Sequence, residues 1–325
     1  MPKLICGKSA VGEKINSTRY KRTFPGGASV AYDYYQGGLL KKLTGTDRDG
    51  LLDKYEYAYN EKGNRTQIKR YRRDLKDVSG VYDYAYDELG RLSESRKDGA
   101  VQSSYSYDAF GNRKALVSDG VSATYSYDII DRLISKKEES AANVSSGDLL
   151  PVITSYSYDN RGNLIEERQG DAISKIYRFD AAGKMVTAVN AKDGEAEYVY
   201  DALGHRVGVK ENGRLIKELR DHTFTGDNIL QRSYENITED YMFDGNICSV
   251  SRNNENIYML NDELGSPVYL TGTDGKAISA FSYDDFGKRK RASYERKYPI
   301  SYSIYRLSGR QDKWLVLCTG KILFS

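Results

Sequence analysis

The chain has 325 residues, with 49 lysines and arginines against 46 aspartates and glutamates, for a formal net charge of +3. That balance argues against a dedicated nucleic-acid binder, and no apolar run approaches the roughly 20 residues of a membrane-spanning helix. Three scattered cysteines (Cys6, Cys248, Cys318) and two histidines (His205, His222) leave little room for a disulfide framework, a metal site or a histidine-based triad.

Tyrosine is abnormal: 29 copies stand beside 8 phenylalanines and 1 tryptophan. In chain order, residues 1–29 read as a lead-in, and Met1–Ala10 is too short and polar for a signal-peptide core. A degenerate unit then opens at Tyr32-Asp-Tyr34-Tyr35, ending in Gly38-Leu39-Leu40. Asp47-Arg-Asp49-Gly50 has a faint calcium-loop look but lacks the remaining ligands, so it reads as a hairpin turn. The second degenerate unit is Tyr57-Ala-Tyr59-Asn60 with Gly63.

From there the frame is regular. It runs through Tyr84-Ala-Tyr86-Asp87 with Gly90, Tyr105-Ser-Tyr107-Asp108 with Gly111, and Tyr125-Ser-Tyr127-Asp128 with Asp131 in the glycine slot. It continues through Tyr156-Ser-Tyr158-Asp159 with Gly162, Tyr177-Arg-Phe179-Asp180 with Gly183, and Tyr198-Val-Tyr200-Asp201 with Gly204. Tyr241-Met-Phe243-Asp244 starts a copy that has Ile247 where glycine is expected, and Phe281-Ser-Tyr283-Asp284 with Gly287 is a late copy. Starts from Tyr57 to Tyr198 are 27, 21, 20, 31, 21 and 21 residues apart. Such a period marks a repeat array. Residues 138–151 account for the long spacing and read as an inserted surface loop.

Each unit has a physical logic. Tyr-x-Tyr places two rings on one face of a strand, because side chains alternate. The aspartate ends the strand in an Asx-type turn, and the glycine three residues on suits a positive φ. Asp98-Gly99, Asp119-Gly120, Asp193-Gly194, Asn212-Gly213 and Asp274-Gly275 divide β-prone runs and predict hairpin turns. Residues 112–118 with 121–128, and 205–211 with 214–220, therefore read as hairpins. The fold class is all-β: antiparallel hairpin repeats joined by Asp-x-x-Gly turns, with almost no helix. One hairpin cannot bury its face alone, so the tyrosine stripe reads as structural.

The motif Tyr-x-Tyr-Asp-x-x-Gly resembles the YD repeats of the Rhs family, shared with wall-associated bacterial proteins and teneurins. The resemblance covers roughly residues 30–290. A second stretch, Asn261-Asp262-Glu263-Leu264-Gly265-Ser266-Pro267 followed by Tyr283-Asp284-Asp285-Phe286-Gly287, looks like the family's repeat-associated core. The resemblance implies an arc of a β-spiral shell, spanning 30–297 with its core-like part at 261–291. It also implies a scaffold that encloses or presents a C-terminal toxin domain, at the cell surface or secreted. The aspartyl self-cleavage motif of many relatives needs an Asp-Pro pair, and none of the five prolines follows an aspartate.

Residues 298–325 change texture, with the only tryptophan at Trp314. Codons exist for Trp314–Phe324 that, read one base later, encode Gly-Trp-Tyr-Tyr-Ala-Gln-Ala-Arg-Tyr-Tyr, the segment the family leads one to expect. The tail is therefore expected to be out of frame and the chain a truncated product. Unpaired strands at both ends would make it poorly soluble.

Other candidate chemistry is thin. The basic run Lys288–Arg291 reads as a solvated strand end, His205 as a turn residue, and His222 has no cysteine or serine elbow beside it. No P-loop, HExxH, GxSxG or dinucleotide fingerprint occurs. The expectation is a protein that is not an enzyme, with no cofactor, metal or nucleic acid. The alternative is a carbohydrate or cell-wall binding module that uses the tyrosine stripe, although tryptophan-rich repeats would suit that role better.

Overall fold

The structure is a computed structural model that describes residues 3–6, 10–15, 18–140, 150–221, 228–244 and 246–293. The tail at 298–325, His222 and most of the 138–151 insertion lie outside the described residues.

Among the described residues the protein is all-β. Strands follow one another from Lys3–Cys6 to Arg289–Ser293, and the helical content is two 3-10 turns, Pro25–Gly27 and Lys76–Val78. Strand pairs are antiparallel and sequential. Arg113–Ser118 pairs with Val121–Tyr127, which pairs in turn with Leu133–Ser140. The lead-in joins the same ladder, since Lys21 lies opposite Ala31 and Thr23 opposite Ser29.

Two kinds of turn alternate, and their backbone explains their residues. At Asp98-Gly99, Asp119-Gly120 and Asn212-Gly213 both residues have positive φ, the two-residue hairpin geometry that the sequence predicts there. Two other pairs depart from it. Asp193-Gly194 closes a longer turn in which the Asp193 N–H donates to the Asn190 carbonyl. At Asp274-Gly275 the Gly272 N–H donates to the Lys276 carbonyl and the Gly275 N–H to the Gly272 carbonyl, the wide turn found elsewhere after a Tyr-x-Tyr strand.

The described chain forms two compact units. The first joins residues up to Val81 with those from Lys217 onward, and the second is Tyr82–Ile216. The first unit holds a packed core. Ile229, Tyr241, Ile247, Val250, Ile257, Met259, Leu270 and Phe281 form one buried cluster, with Phe243, Ile278 and Tyr283 packed against it. Buried Val30, Leu43, Leu52, Tyr55 and Tyr57 come from its N-terminal strands.

The second unit buries less. Its buried apolar residues are few and mostly small or single rings: Tyr105, Ala123, Tyr177, Ala188, Ala196, Val209 and Ile216. Cross-strand register gives one reason. The residue facing the first tyrosine of a repeat is Leu43, Ile68 or Val250 in the first unit. In the second unit that position is polar in three of six repeats, Ser95, Lys136 and Glu167, and apolar in the others, Leu116, Ala188 and Val209. Polar side chains on a sheet face do not support a dry core.

Candidate functional site

The repeat signature builds one recurring constellation, a clasp between neighbouring hairpins. Its base is the aspartate turn. Asp108 ends its strand, and its carboxylate Oδ1 accepts the N–H of Phe110 at 3.0 Å and of Asn112 at 2.8 Å. Its own N–H donates to the Asn112 carbonyl, and its carbonyl accepts the Gly111 N–H. The same pattern recurs at Asp128, Asp159, Asp180, Asp201 and Asp284. At Asp87 the carboxylate accepts the Arg91 N–H, and Asn60 repeats the pattern with an amide oxygen. Gly63, Gly90, Gly111, Gly162, Gly183, Gly204 and Gly287 occupy the left-handed position with φ of +77 to +95°, and Asp131 takes it at +62°.

These bonds set the acidity of the aspartates. The carboxyls of Asp87, Asp128 and Asp201 are held below the usual range first by the backbone N–H groups of Arg91, Arg132 and His205. At Asp159 the Asn163 side-chain amide leads. At Asp108 desolvation works against the shift, and the bonds from Asn112 and Phe110 outweigh it.

The second ring of each Tyr-x-Tyr pair completes the clasp. The Tyr107 hydroxyl donates to the Leu92 carbonyl at 2.9 Å, Tyr127 to Arg113 at 3.0 Å, Tyr158 to Leu133 at 2.8 Å and Tyr200 to Met185 at 2.8 Å. Tyr59 to Leu40 and Tyr283 to Pro267 follow the same rule. Each acceptor lies five residues after the turn-opening position of the preceding unit. In three of these units the residue just before it supplies a cation over the ring: Arg91 above Tyr107 at 4.6 Å, Arg132 above Tyr158 at 4.8 Å and Lys184 above Tyr200 at 5.4 Å.

The first rings are treated differently. Tyr57 and Tyr177 are buried, Tyr105 lies at the edge of burial, and Tyr84, Tyr125, Tyr156 and Tyr198 are half-buried, as is the second ring Tyr86. Tyr57 donates to Glu263 at 2.6 Å and Tyr177 to Glu167 at 2.8 Å. Burial first, and the neighbouring carboxylate second, push both hydroxyls up in pKa. Arginines five residues after the turn-opening Asp or Asn cover first rings: Arg113 over Tyr105 and Tyr125, Arg206 over Tyr198 and Arg65 over Tyr57.

Sequence reasoning missed a set of buried ions in the first unit. Arg72 lies between Asp53 and the ring of Tyr269, and its Nη2 donates to the carbonyls of Val268 and Phe281 at 2.9 and 3.0 Å. Glu218 accepts from both Arg220 and Arg232. Arg22 pairs with Asp244 at 2.8 Å, and Arg73 grips Asp47 with two bonds. These partners are mostly far apart in the chain, so no local pattern announces them. Among the described residues no group of three or more histidine, cysteine, aspartate or glutamate side chains is arranged to hold a metal ion. His205 lies in its turn with Nδ1 at 3.3 Å from Asp201. No helix among the described residues is long and apolar enough to cross a membrane, which says nothing of a β-barrel.

An array of antiparallel hairpins clasped by tyrosine and aspartate defines a YD-repeat protein. The family described as "Teneurin YD-shell" matches residues 53–303, more than half of the sequence, and the chain belongs to that family. Three relatives illustrate its range. The "tRNA3(Ser)-specific nuclease WapA" of Bacillus spizizenii is 29% identical over 241 residues, covering 70% of this chain and 9% of that protein. "Toxin protein Tse5" of Pseudomonas aeruginosa is 33% identical over 141 residues, covering 38% of this chain and 11% of that one. "Teneurin-1" of Mus musculus is 26% identical over 225 residues, covering 63% and 7%. The chain thus spans about a tenth of the length of the relatives it matches.

Proposed function

We propose that this chain is a non-catalytic stretch of YD-repeat scaffold whose role is to enclose or present a C-terminal effector of toxin type, outside the cytoplasm in a secreted or surface protein. The observation that carries this reading is the engagement of the signature side chains. Aspartate carboxylates hold turn N–H groups, second-ring hydroxyls hold neighbouring carbonyls, and guanidinium or ammonium groups cover ring faces. Side chains engaged in that way build a wall and are not poised for acid-base or nucleophilic chemistry. Two relatives carry toxin or nuclease names, and the chain matches only a small part of each, which supports assigning their activities to other segments.

A glycan platform is the competing role. Sugar stacking needs an open aromatic face, whereas Tyr107, Tyr158 and Tyr200 have cations over theirs. The experiment is protease protection of the full gene product, with and without Tyr→Ala changes at Tyr107, Tyr158 and Tyr200. An effector that is protected only by the intact repeats supports the scaffold. Digestion at equal rates overturns it, and array binding to glycans that the same changes abolish would install the alternative.

A further inference from the structure

The clasps close hairpin mouths, and one mouth in the second unit has no clasp. In each hairpin of Tyr82–Ile216, backbone pairing stops short of the open end. The last rungs are Glu94 with Ser104, Ala115 with Thr124, Ser135 with Ser155, Glu166 with Ile176, and Thr187 with Glu197. Beyond those rungs the tyrosine hydroxyl bridges the gap in four of the five hairpins: Tyr107 to Leu92, Tyr127 to Arg113, Tyr158 to Leu133 and Tyr200 to Met185.

The fifth hairpin, Leu164–Gln169 with Ala172–Phe179, has Phe179 at the clasping position, so no hydroxyl reaches for the Leu164 carbonyl. The residue that would supply a cation over this ring is Asn163, whose amide instead donates to Asp159 at 2.9 Å. Phe179 is thus the one ring of the five that lacks both parts of the clasp. A surface hollow of about 870 Å³ opens at the same mouth, lined by Ile165, Ile176, Phe179 and the charged rim of Asp159, Arg161 and Asp180. The tie that does cross between turn tips, from Arg161 Nη1 to the Ala181 carbonyl, is solvent-exposed and so contributes little.

We propose that the mouth between Leu164 and Phe179 is a built-in opening point, where the repeat sheet of the second unit separates first. Phe243 also carries no hydroxyl, yet it packs against the core cluster of the first unit, which Phe179 cannot do. Local opening is expected where few bonds hold an element closed, and here it is confined to the residues on the mouth side of Glu167, which Tyr177, Lys175 and Ser174 hold from the facing strand.

Hydrogen exchange on the full chain, read by mass spectrometry with overlapping peptides, tests this. Amides at Ile165 and Ile176–Phe179 should exchange about tenfold faster than their counterparts at Val186 and Glu197–Tyr200, the combined effect of a missing hydrogen bond and a missing ring cation. Phe179→Tyr should slow exchange at this mouth alone. Asn163→Arg should do so in part, and serves as the second variant if a hydroxyl at 179 disturbs packing. Tyr200→Phe should create a second fast mouth at 185–200. Equal protection of the two hairpins in the unaltered chain, or exchange at 164–179 that neither Phe179→Tyr nor Asn163→Arg slows, overturns the proposal.

Discussion

The hydroxyl of Tyr107 donates to the carbonyl of Leu92 across 2.9 Å, while the guanidinium of Arg91 lies 4.6 Å from the centre of the same ring. Two adjacent residues of one turn thus hold one ring of the next strand by two different forces. Tyr107→Phe removes the first and keeps the second. It should cost about 1 kcal/mol, the usual net value of a hydrogen bond. Arg91→Met should cost at least as much, because it removes the ring cation together with the bonds from Arg91 to the Asp87 carboxylate and the Asp108 carbonyl. If the two act on one ring independently, the double variant should equal their sum. A coupling above about 0.5 kcal/mol in denaturant titrations would show that the cation orients the hydroxyl.

Acid should dissolve the clasp. Asp87, Asp108, Asp128, Asp159 and Asp201 titrate below their unfolded value, so their stabilising contribution is complete above about pH 4 and is lost as pH falls through the folded values. Thermal melts from pH 5 to 2 should show a steep decline. Asp108→Asn should flatten that decline, because an amide oxygen accepts the same N–H groups, as Asn60 does.

Asp262 slopes the other way. Burial, with the charge of Glu263 second, pushes its carboxyl up to about 7. Between about pH 4 and 7 the folded chain therefore binds a proton that the unfolded chain has released, and stability falls as pH rises. Asp262→Asn keeps an oxygen for the Leu264 and Ser266 N–H groups, bonded now at 3.0 and 2.8 Å. It should raise the melting temperature at pH 8 and leave it unchanged at pH 4. A gain at both would indicate a packing effect instead.

How much of this was legible beforehand depended on the range of the interaction. The turn at Asp108 and the strand before it follow from a few consecutive residues, so the all-β hairpin ladder could be read directly. The clasp was half legible: the tyrosine period was plain, but the acceptor is a backbone carbonyl such as that of Leu92, which any residue supplies. The buried ions were illegible. Arg72 and Phe281 are 209 positions apart, and an Arg-Tyr-Arg strand alone reads as a solvated edge. The equal treatment of every Asp-Gly pair failed at Asp193-Gly194 and at Asp274-Gly275, where longer turns form, and at the second of these the glycine also makes a tertiary contact.

That contact is glycine on glycine. A Cβ on Gly26 would come 2.3 Å from the Gly275 nitrogen, and one on Gly275 would come 2.1 Å from the Gly26 carbonyl oxygen. Both have positive φ, and the Arg48 N–H donates to the Gly275 carbonyl at 3.0 Å. Gly26→Ala should therefore cost more than the 1 kcal/mol or so of a left-handed alanine alone, since backbone must move. Gly63→Ala is the control, with the same φ and open space around it. Equal losses in the two variants would mean that the close approach relaxes freely.

Arg72 offers the sharpest test of what holds the first unit together. Its side chain is buried beside Asp53, whose carboxyl is raised because desolvation outweighs the pull of Arg72. Arg72→Met removes the partner of a buried acid and the donor to the Val268 and Phe281 carbonyls together. Breaking a buried pair from one side costs about 3–5 kcal/mol, enough to unfold a marginal domain. Asp53→Asn breaks the same pair from the other side and leaves the buried Arg72 guanidinium without its carboxylate, so it should cost a comparable amount even though the Gly45 N–H still finds an oxygen. The pair Arg72→Met and Asp53→Asn should then recover part of the loss, since no uncompensated charge stays behind. If the double variant is no better than Arg72→Met, the two bonds to backbone carbonyls carry the effect and the charge pair is incidental.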